Sequence, residues 1–217
     1  HTAIRRQRQM CIRDRLTAFL AKDVAARHPG APILLDVKSS EAALRLVESA
    51  GAAAQIWKTG HSHMKKRMKE LEAPLAGEMS GHIFIADDYL GFDDAIYAAV
   101  RVITQMVKGG QSITEFMDSL PEQHATPELR IDCPDTVKFD SMEKIRAHVL
   151  SGHDAKDVNS IDGVRVRSGE GWWLIRASNT EAALVARAEA ADRTALDRLL
   201  GDIETTLAAA GLDWKRP

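Results

Sequence analysis

The chain has 217 residues, 45% of them hydrophobic and 28% charged, with a formal net charge of −2. That length allows one large domain or two small ones, and the near-neutral balance supplies no global positive field for a nucleic acid or an anionic membrane. No uninterrupted apolar run approaches the roughly 18 residues of a membrane-spanning helix. The two cysteines, Cys11 and Cys133, are far apart and lack metal-ligand spacing, so neither a disulfide framework nor a zinc site is indicated. A reducing, cytoplasmic setting is the expectation.

Residues 1–15 stand apart. Five arginines and one aspartate give them +4 (histidine neutral), which leaves −6 on residues 16–217. They lack the apolar centre of a secretory signal. A basic nucleic-acid arm, a transit peptide and foreign sequence are the three readings. The stretch is set aside as a foreign or disordered basic segment, with Asp14-Arg15 assignable either to it or to the folded protein, and the fold is read from Leu16.

Leu16, Phe19, Leu20 and Val24 have helical spacing, and His28-Pro29-Gly30 ends that helix. Ile33–Val37 reads as a buried strand. Ser39 or Ser40 can cap a helix through Leu44 and Val47 that stops at Gly51. Ala53–Trp57 is a second strand, Ser62–Glu70 a basic helix, and Pro74–Ala76 a third strand leading into a loop at Gly77–His82. Ile83–Ile85 follows as a strand. Asp93 or Asp94 begins a helix with Ile96, Val100, Ile103 and Val107 along its apolar face, closed by Gly109-Gly110. Ser112–Met117 adds a short helix. This alternation indicates helices covering a sheet.

A polar stretch at Pro121–Thr126 marks a boundary, giving domains of 16–121 and 122–217. Beyond it, Leu129–Cys133 is a strand and Met142–Val149 a helix. Val164–Val166 and Trp172–Ile175 flank the turn Ser168–Gly171, and Ala183–Ala188 is a further strand. Thr194–Ala209 is a helix with Leu196, Leu199, Leu200, Ile203 and Leu207 on one face. The second domain is therefore smaller and of α+β type.

Several loops could carry chemistry. Arg176-Ala177-Ser178-Asn179-Thr180 offers a guanidinium fork, hydroxyls, a carboxamide and backbone N–H groups, a donor set suited to phosphate. It is equally a turn whose Ser, Asn and Thr satisfy themselves. In the loop Gly77–His82, the glycines permit close backbone approach. Glu78 can accept from neighbouring sugar hydroxyls, Ser80 can donate or accept, and His82 can donate to phosphate. The alternative is an ordinary turn between strands. Lys38, Gly60-His61 and Glu78 all follow strands, where α/β sheets bind ligands. The run Lys65-Lys66-Arg67 with Lys69 is a nucleic-acid patch or, preferably, a solvated helix face. Trp172 or Trp173 could stack on a sugar, but in alternating strands at least one should face the core.

Taken in order, these segments resemble the phosphomannomutase/phosphoglucomutase group of the phosphohexomutases. The resemblance is carried by Asp36-Val37-Lys38, Trp57–Ser62, Gly77–His82, Gly91-Phe92-Asp93-Asp94, Asp162–Val166 and Arg176–Glu181. It implies the third and fourth of four family domains: a three-layer α/β domain with a mixed sheet, then a smaller α+β domain of the TATA-box-binding-like type. It further implies sugar contacts at Lys38, Gly60, His61, Glu78, Ser80 and His82, and a phosphate loop of Arg176, Ser178, Asn179 and Thr180.

The implied activity interconverts hexose 1-phosphate and hexose 6-phosphate through an enzyme phosphoserine, Mg2+ and a hexose 1,6-bisphosphate. The family's Thr-Ala-Ser-His-Asn-Pro and Asp-Gly-Asp-Gly-Asp-Arg segments are absent from these residues, and Ala182 stands where the family usually has proline. The chain thus reads as a truncated, inactive half of a mutase, or alternatively as a non-catalytic sugar-phosphate-binding module. Met79 and Ser178-Asn179-Thr180 favour hexose over hexosamine phosphates. Neither nucleic acid nor membrane is expected as a partner.

Overall fold

The computed structural model describes residues 2–216, with side chains from Asp14 onward. The chain divides into two compact units, residues 1–121 and 122–217.

In the first unit, helix α1 (Thr2–Arg27) precedes strand β1 (Pro32–Asp36), helix α2 (Glu41–Ser49), strand β2 (Ala53–Trp57) and helix α3 (His61–Leu71). Then come β3 (Leu75–Gly77), β4 (Ile83–Ile85), β5 (Phe92–Asp93), α4 (Ala95–Gly109) and α5 (Ile113–Asp118). The sheet order is β2-β1-β3-β4-β5; β1 runs parallel to β2 and β3, whereas β4 is antiparallel to β3 and β5. The sheet is therefore mixed, as the family resemblance implied. Strand β1, flanked by β2 and β3, is buried on both faces: Ile33 and Leu35 join the core with Leu20, Val24 and Val47, while Leu34 packs with Met64, Met68 and Phe84. Each such side chain contributes about 1.5–3 kcal/mol.

Local chemistry sets the element ends. Ser40 caps α2 by accepting from Ala42 N at 3.0 Å. Asp94 caps α4 through Tyr97 N at 2.9 Å, and Gly110, at φ +61°, closes it. Ser112 and Glu115 form a reciprocal capping box on α5.

Two expectations need correction. The first helix does not start near Leu16; it runs from Thr2, and Asp14 is fully buried, with a carboxylate that accepts from Ser40 N at 2.7 Å. Asp14 thus belongs to the folded unit, the second of the two readings open for Asp14-Arg15. Cys11 and the other residues before Asp14 lie outside the described side chains. Secondly, the apolar stripe of α4 is not its inward face. Ala98 is buried and Tyr97 and Val102 pack against the core, while Ile96 and Val107 are 81% and 79% exposed.

The second unit comprises β6 (His124–Ala125), β7 (Leu129–Asp132), α6 (Asp135–Gly152), β8 (Val158–Asn159), β9 (Val164–Arg167), β10 (Gly171–Ala177), β11 (Ala183–Ala190) and α7 (Arg193–Ala209). The sheet order is β6-β11-β10-β9-β8, with β7 also paired to β11, and every pairing is antiparallel. Helices α6 and α7 cover one face, where Ile145, Val149, Leu199, Ile203 and Leu207 meet Trp173, Ile175 and Leu184. Trp172 alternates to the other face. It is equally buried, with the Arg165 guanidinium 3.7 Å from its ring and its Nε1 donating to Glu189 at 3.3 Å. Neither tryptophan is available to stack on a sugar.

Candidate functional site

In the first unit, the candidate residues gather where β1, β2 and β3 end. Asp36, the last residue of β1, has no solvent exposure. Its Oδ1 accepts from Ser39 Oγ at 2.7 Å and Met79 N at 3.0 Å, and its Oδ2 accepts from Thr59 Oγ1 at 3.0 Å. One carboxylate thus fastens the loops after all three strands. Lys38 is also buried, with Nζ 4.0 Å from Asp36 Oδ2.

Glu78 is 3% exposed and fixed by its neighbours. Its Oε1 accepts from Gly60 N at 2.8 Å and its Oε2 from Ser80 Oγ at 3.2 Å. Gly60 adopts φ +122°, a conformation that favours glycine, and this backbone brings its N–H to the carboxylate. The loop holds its own shape: Glu78 N donates to His82 O, and Gly81 N donates to Glu78 O, both at 2.9 Å. The Gly77 position is equally constrained, because a Cβ there would fall 1.9 Å from Thr17 Oγ1 of α1.

His61 opens α3 and His82 closes the Glu78 loop; their rings stand edge to face with centroids 4.3 Å apart. Asp93, from β5, joins them. Its Oδ2 lies 2.7 Å from His82 Nδ1 and 3.7 Å from His61 Nε2. Lys38, Gly60, His61, Glu78, Ser80 and His82 therefore share one strand-end surface. Asp36 and Asp93 organise it. Both lay within recognised sequence segments, but nothing local marked either as a connector.

The charged face of α3 proves to be solvated: Lys65, Lys66 and Lys69 are exposed, and Arg67 stacks on Trp57 at 4.3 Å while pairing with Glu70 at 3.0 Å. A concavity of about 690 Å³ occurs at the other end of β3 and β4, lined by His28, Lys65, Pro74, Asp87 and Phe92 among others. It contains none of the sugar-site candidates. Beside it, buried Asp87 accepts from Arg101 at 2.6 Å and is 2.8 Å from His28 Nε2. It also pairs with Arg27. Burial alone would raise the Asp87 carboxyl, but hydrogen bonds from Arg101, His28 and Arg27 outweigh it and hold the group below the usual range.

The second unit carries the other loop. Arg176, near the end of β10, is buried and held by Asp162: Nε donates to Oδ2 at 3.1 Å and Nη2 to Oδ1 at 3.3 Å. Gly163, at φ +81°, permits this approach, since a Cβ would fall 2.3 Å from Ile175 O and 2.6 Å from Arg176 Cβ. Ser178 Oγ accepts from Glu181 N at 3.2 Å and, more weakly, from Thr180 N at 3.4 Å. Buried Lys138 of α6 donates to Ser178 O at 3.0 Å and Glu181 O at 2.9 Å, pinning the loop's two ends. Asn179 and Thr180 remain exposed at its tip. Sequence reasoning did not assign Lys138; a lysine at the start of a helix gave no sign of the loop it braces.

The Mg2+ implied by the resemblance can be tested against these residues. Magnesium favours octahedral oxygen ligands. Among the described residues, the group of His, Cys, Asp and Glu close enough to share an ion is His61, His82 and Asp93, which supplies two imidazoles and a single carboxylate. These residues do not fit magnesium.

The fold is an α/β unit with a mixed sheet followed by an antiparallel α+β unit, each presenting polar loops at strand ends. The model for the phosphoglucomutase/phosphomannomutase alpha/beta/alpha domain III matches residues 13–124, and that for the phosphoglucomutase/phosphomannomutase C-terminal domain matches residues 128–206. The chain belongs to the phosphoglucomutase/phosphomannomutase family.

A phosphomannomutase/phosphoglucomutase of Pseudomonas putida is 43% identical over 194 residues, covering 89% of this chain and 42% of that protein. A phosphoglucomutase of Neisseria gonorrhoeae is 38% identical over 186 residues, covering 86% and 40%. The crystal structure of a phosphoglucomutase/phosphomannomutase family protein from Burkholderia thailandensis superimposes with a TM-score of 0.82 at 37% identity, covering 92% of this chain and 42% of that one. The chain spans less than half the length of these relatives.

Proposed function

We propose that this chain supplies the sugar- and phosphate-holding part of a cytoplasmic isomerase that interconverts hexose 1-phosphate and hexose 6-phosphate. The observation that carries the reading is the convergence of Lys38, Gly60, His61, Glu78, Ser80 and His82 on one strand-end surface, organised by Asp36. A buried, fixed carboxylate is a ready acceptor for sugar hydroxyls, and the neighbouring lysine and histidines provide positive charge or donors for a phosphate. Glucose and mannose phosphates differ at a single stereocentre. A carboxylate reading hydroxyls elsewhere on the ring accepts both.

Arg176, Ser178, Asn179 and Thr180 hold the phosphate that is not being transferred. Binding this remote group orients the reacting end. The chemistry itself would pass a phosphoryl group between an enzyme serine and the sugar, by way of a hexose 1,6-bisphosphate, with any Mg2+ held by residues other than the described ones. Residues 1–217 contain neither the serine loop nor the acidic metal loop of the family. Their part is to bind and orient.

The test is calorimetric titration of the chain with mannose 1-phosphate and glucose 1-phosphate. Saturable binding of both is expected. Absence of binding by either sugar phosphate overturns the reading. Joining the chain to the amino-terminal half of a family mutase, with magnesium, should then yield mutase turnover; binding without turnover would favour a non-catalytic binding module.

A further inference from the structure

The family reading gives His61 and His82 to a sugar phosphate, but their arrangement with Asp93 has a second chemistry. The three residues come from three separate segments: the start of α3, the end of the Glu78 loop, and β5. Their ligand atoms all lie within 4.8 Å of one another. We propose that His61, His82 and Asp93 form a binding site for a divalent transition ion of the zinc and cobalt class.

Ligand type selects the ion. Two imidazoles with one carboxylate suit zinc, cobalt or nickel, and do not suit magnesium or calcium. Spacing agrees. With metal–ligand bonds of about 2.0–2.1 Å, neighbouring ligand atoms of a tetrahedral site sit about 3.4 Å apart. Asp93 Oδ2 is 3.7 Å from His61 Nε2 and 2.7 Å from His82 Nδ1, values on either side of that separation. The shorter one holds a hydrogen-bond proton between His82 and Asp93. An ion takes the place of that proton, which passes to Nε2 of the same ring or to solvent, and the pair opens by a fraction of an ångström.

The surroundings are set for this exchange. The His61 ring is held edge-on by Phe84, with centroids 5.2 Å apart, and the His82 backbone is fixed by Glu78 N. The side chains of His61 and His82 are 43% and 44% exposed, which gives an ion an entry path and leaves its remaining coordination positions to solvent. Because the same imidazoles serve the proposed sugar-phosphate surface, a bound ion and a hexose phosphate would compete for them.

The experiment titrates Co2+ into the purified 217-residue chain without sugar phosphate and follows its visible ligand-field absorption. One equivalent should bind, be displaced by Zn2+, and resist displacement by Mg2+. His61→Asn, His82→Asn and Asp93→Asn should each weaken Co2+ binding by about tenfold or more. His63→Ala and His148→Ala, at exposed positions outside the trio, should leave it unchanged. Circular dichroism on each variant separates a lost ligand from a lost fold. Equal Co2+ affinity in wild type and a folded His61→Asn variant, or loss confined to His63→Ala or His148→Ala, overturns the site. No sugar is present in the titration, so its outcome is independent of whether hexose phosphates bind.

Discussion

Gly60 N donates to Glu78 Oε1 at 2.8 Å, so the backbone after one strand holds the carboxylate that follows another. This contact places an acidic group with 3% exposure at the sheet's carboxyl end in a single orientation. A glycine at φ +122° and a glutamate 18 residues later thus act as one unit.

Glu78→Gln preserves the shape of that side chain while removing its charge. The variant should fold as wild type does, because an amide oxygen still accepts from Gly60 N. Its affinity for mannose 1-phosphate should fall by about 1.5–3 kcal/mol, the range for hydrogen bonds to a charged group. Calorimetry on both proteins measures the difference, and equal affinities would remove Glu78 from the sugar site.

The clamp between Arg176 and Asp162 gives a second expectation. Arg176→Ala should weaken hexose phosphate binding by about 1.5–3 kcal/mol. Lys138→Met leaves Arg176 in place but frees Ser178 O and Glu181 O. It should lower affinity less than Arg176→Ala and speed amide hydrogen exchange at residues 178–181. Unchanged exchange would show that Lys138 does not brace the loop.

Asp87 makes the stability of the first unit sensitive to acid. Its folded-state carboxyl is depressed, so its contribution is present in full above the unfolded carboxylate range of about 4 and is lost as pH falls through the lower folded value. Arg101→Met removes the main partner and leaves a buried carboxylate less compensated. Urea unfolding at neutral pH should show a loss of about 3 kcal/mol. The penalty should shrink at low pH, where Asp87 is protonated in both proteins. A penalty constant across pH would separate Arg101's role from Asp87.

Helix α4 presents Ile96, Val100, Ile103 and Val107 to solvent. Such a contiguous apolar stripe favours self-association. Ile96→Glu combined with Ile103→Glu should reduce sedimentation-detected association while changing the melting temperature little, because neither side chain fills the core. A large drop in melting temperature instead would mean that the stripe is packed in solution.

The sequence by itself determined the order of the longer elements and the location of the loops, but not the two-residue strands Phe92–Asp93, His124–Ala125 and Val158–Asn159, which are too short to show a period. Strands and helices are specified by near-neighbour periodicity, and Gly77–His82 and Arg176–Glu181 are contiguous segments whose chemistry is legible where they stand. The second domain's α+β type was readable from short strands around polar turns. Tertiary structure alone decided how those segments are tied. Asp36 meets Thr59 and Met79, Asp93 meets two histidines, and Lys138 meets a loop 40 residues away, contacts that depend on strand order. It also decided which side of α4 faces inward. Hydrophobic periodicity identifies an apolar face, but what covers that face depends on neighbouring elements, and in this unit Ala98, Tyr97 and Val102 take the inward side instead.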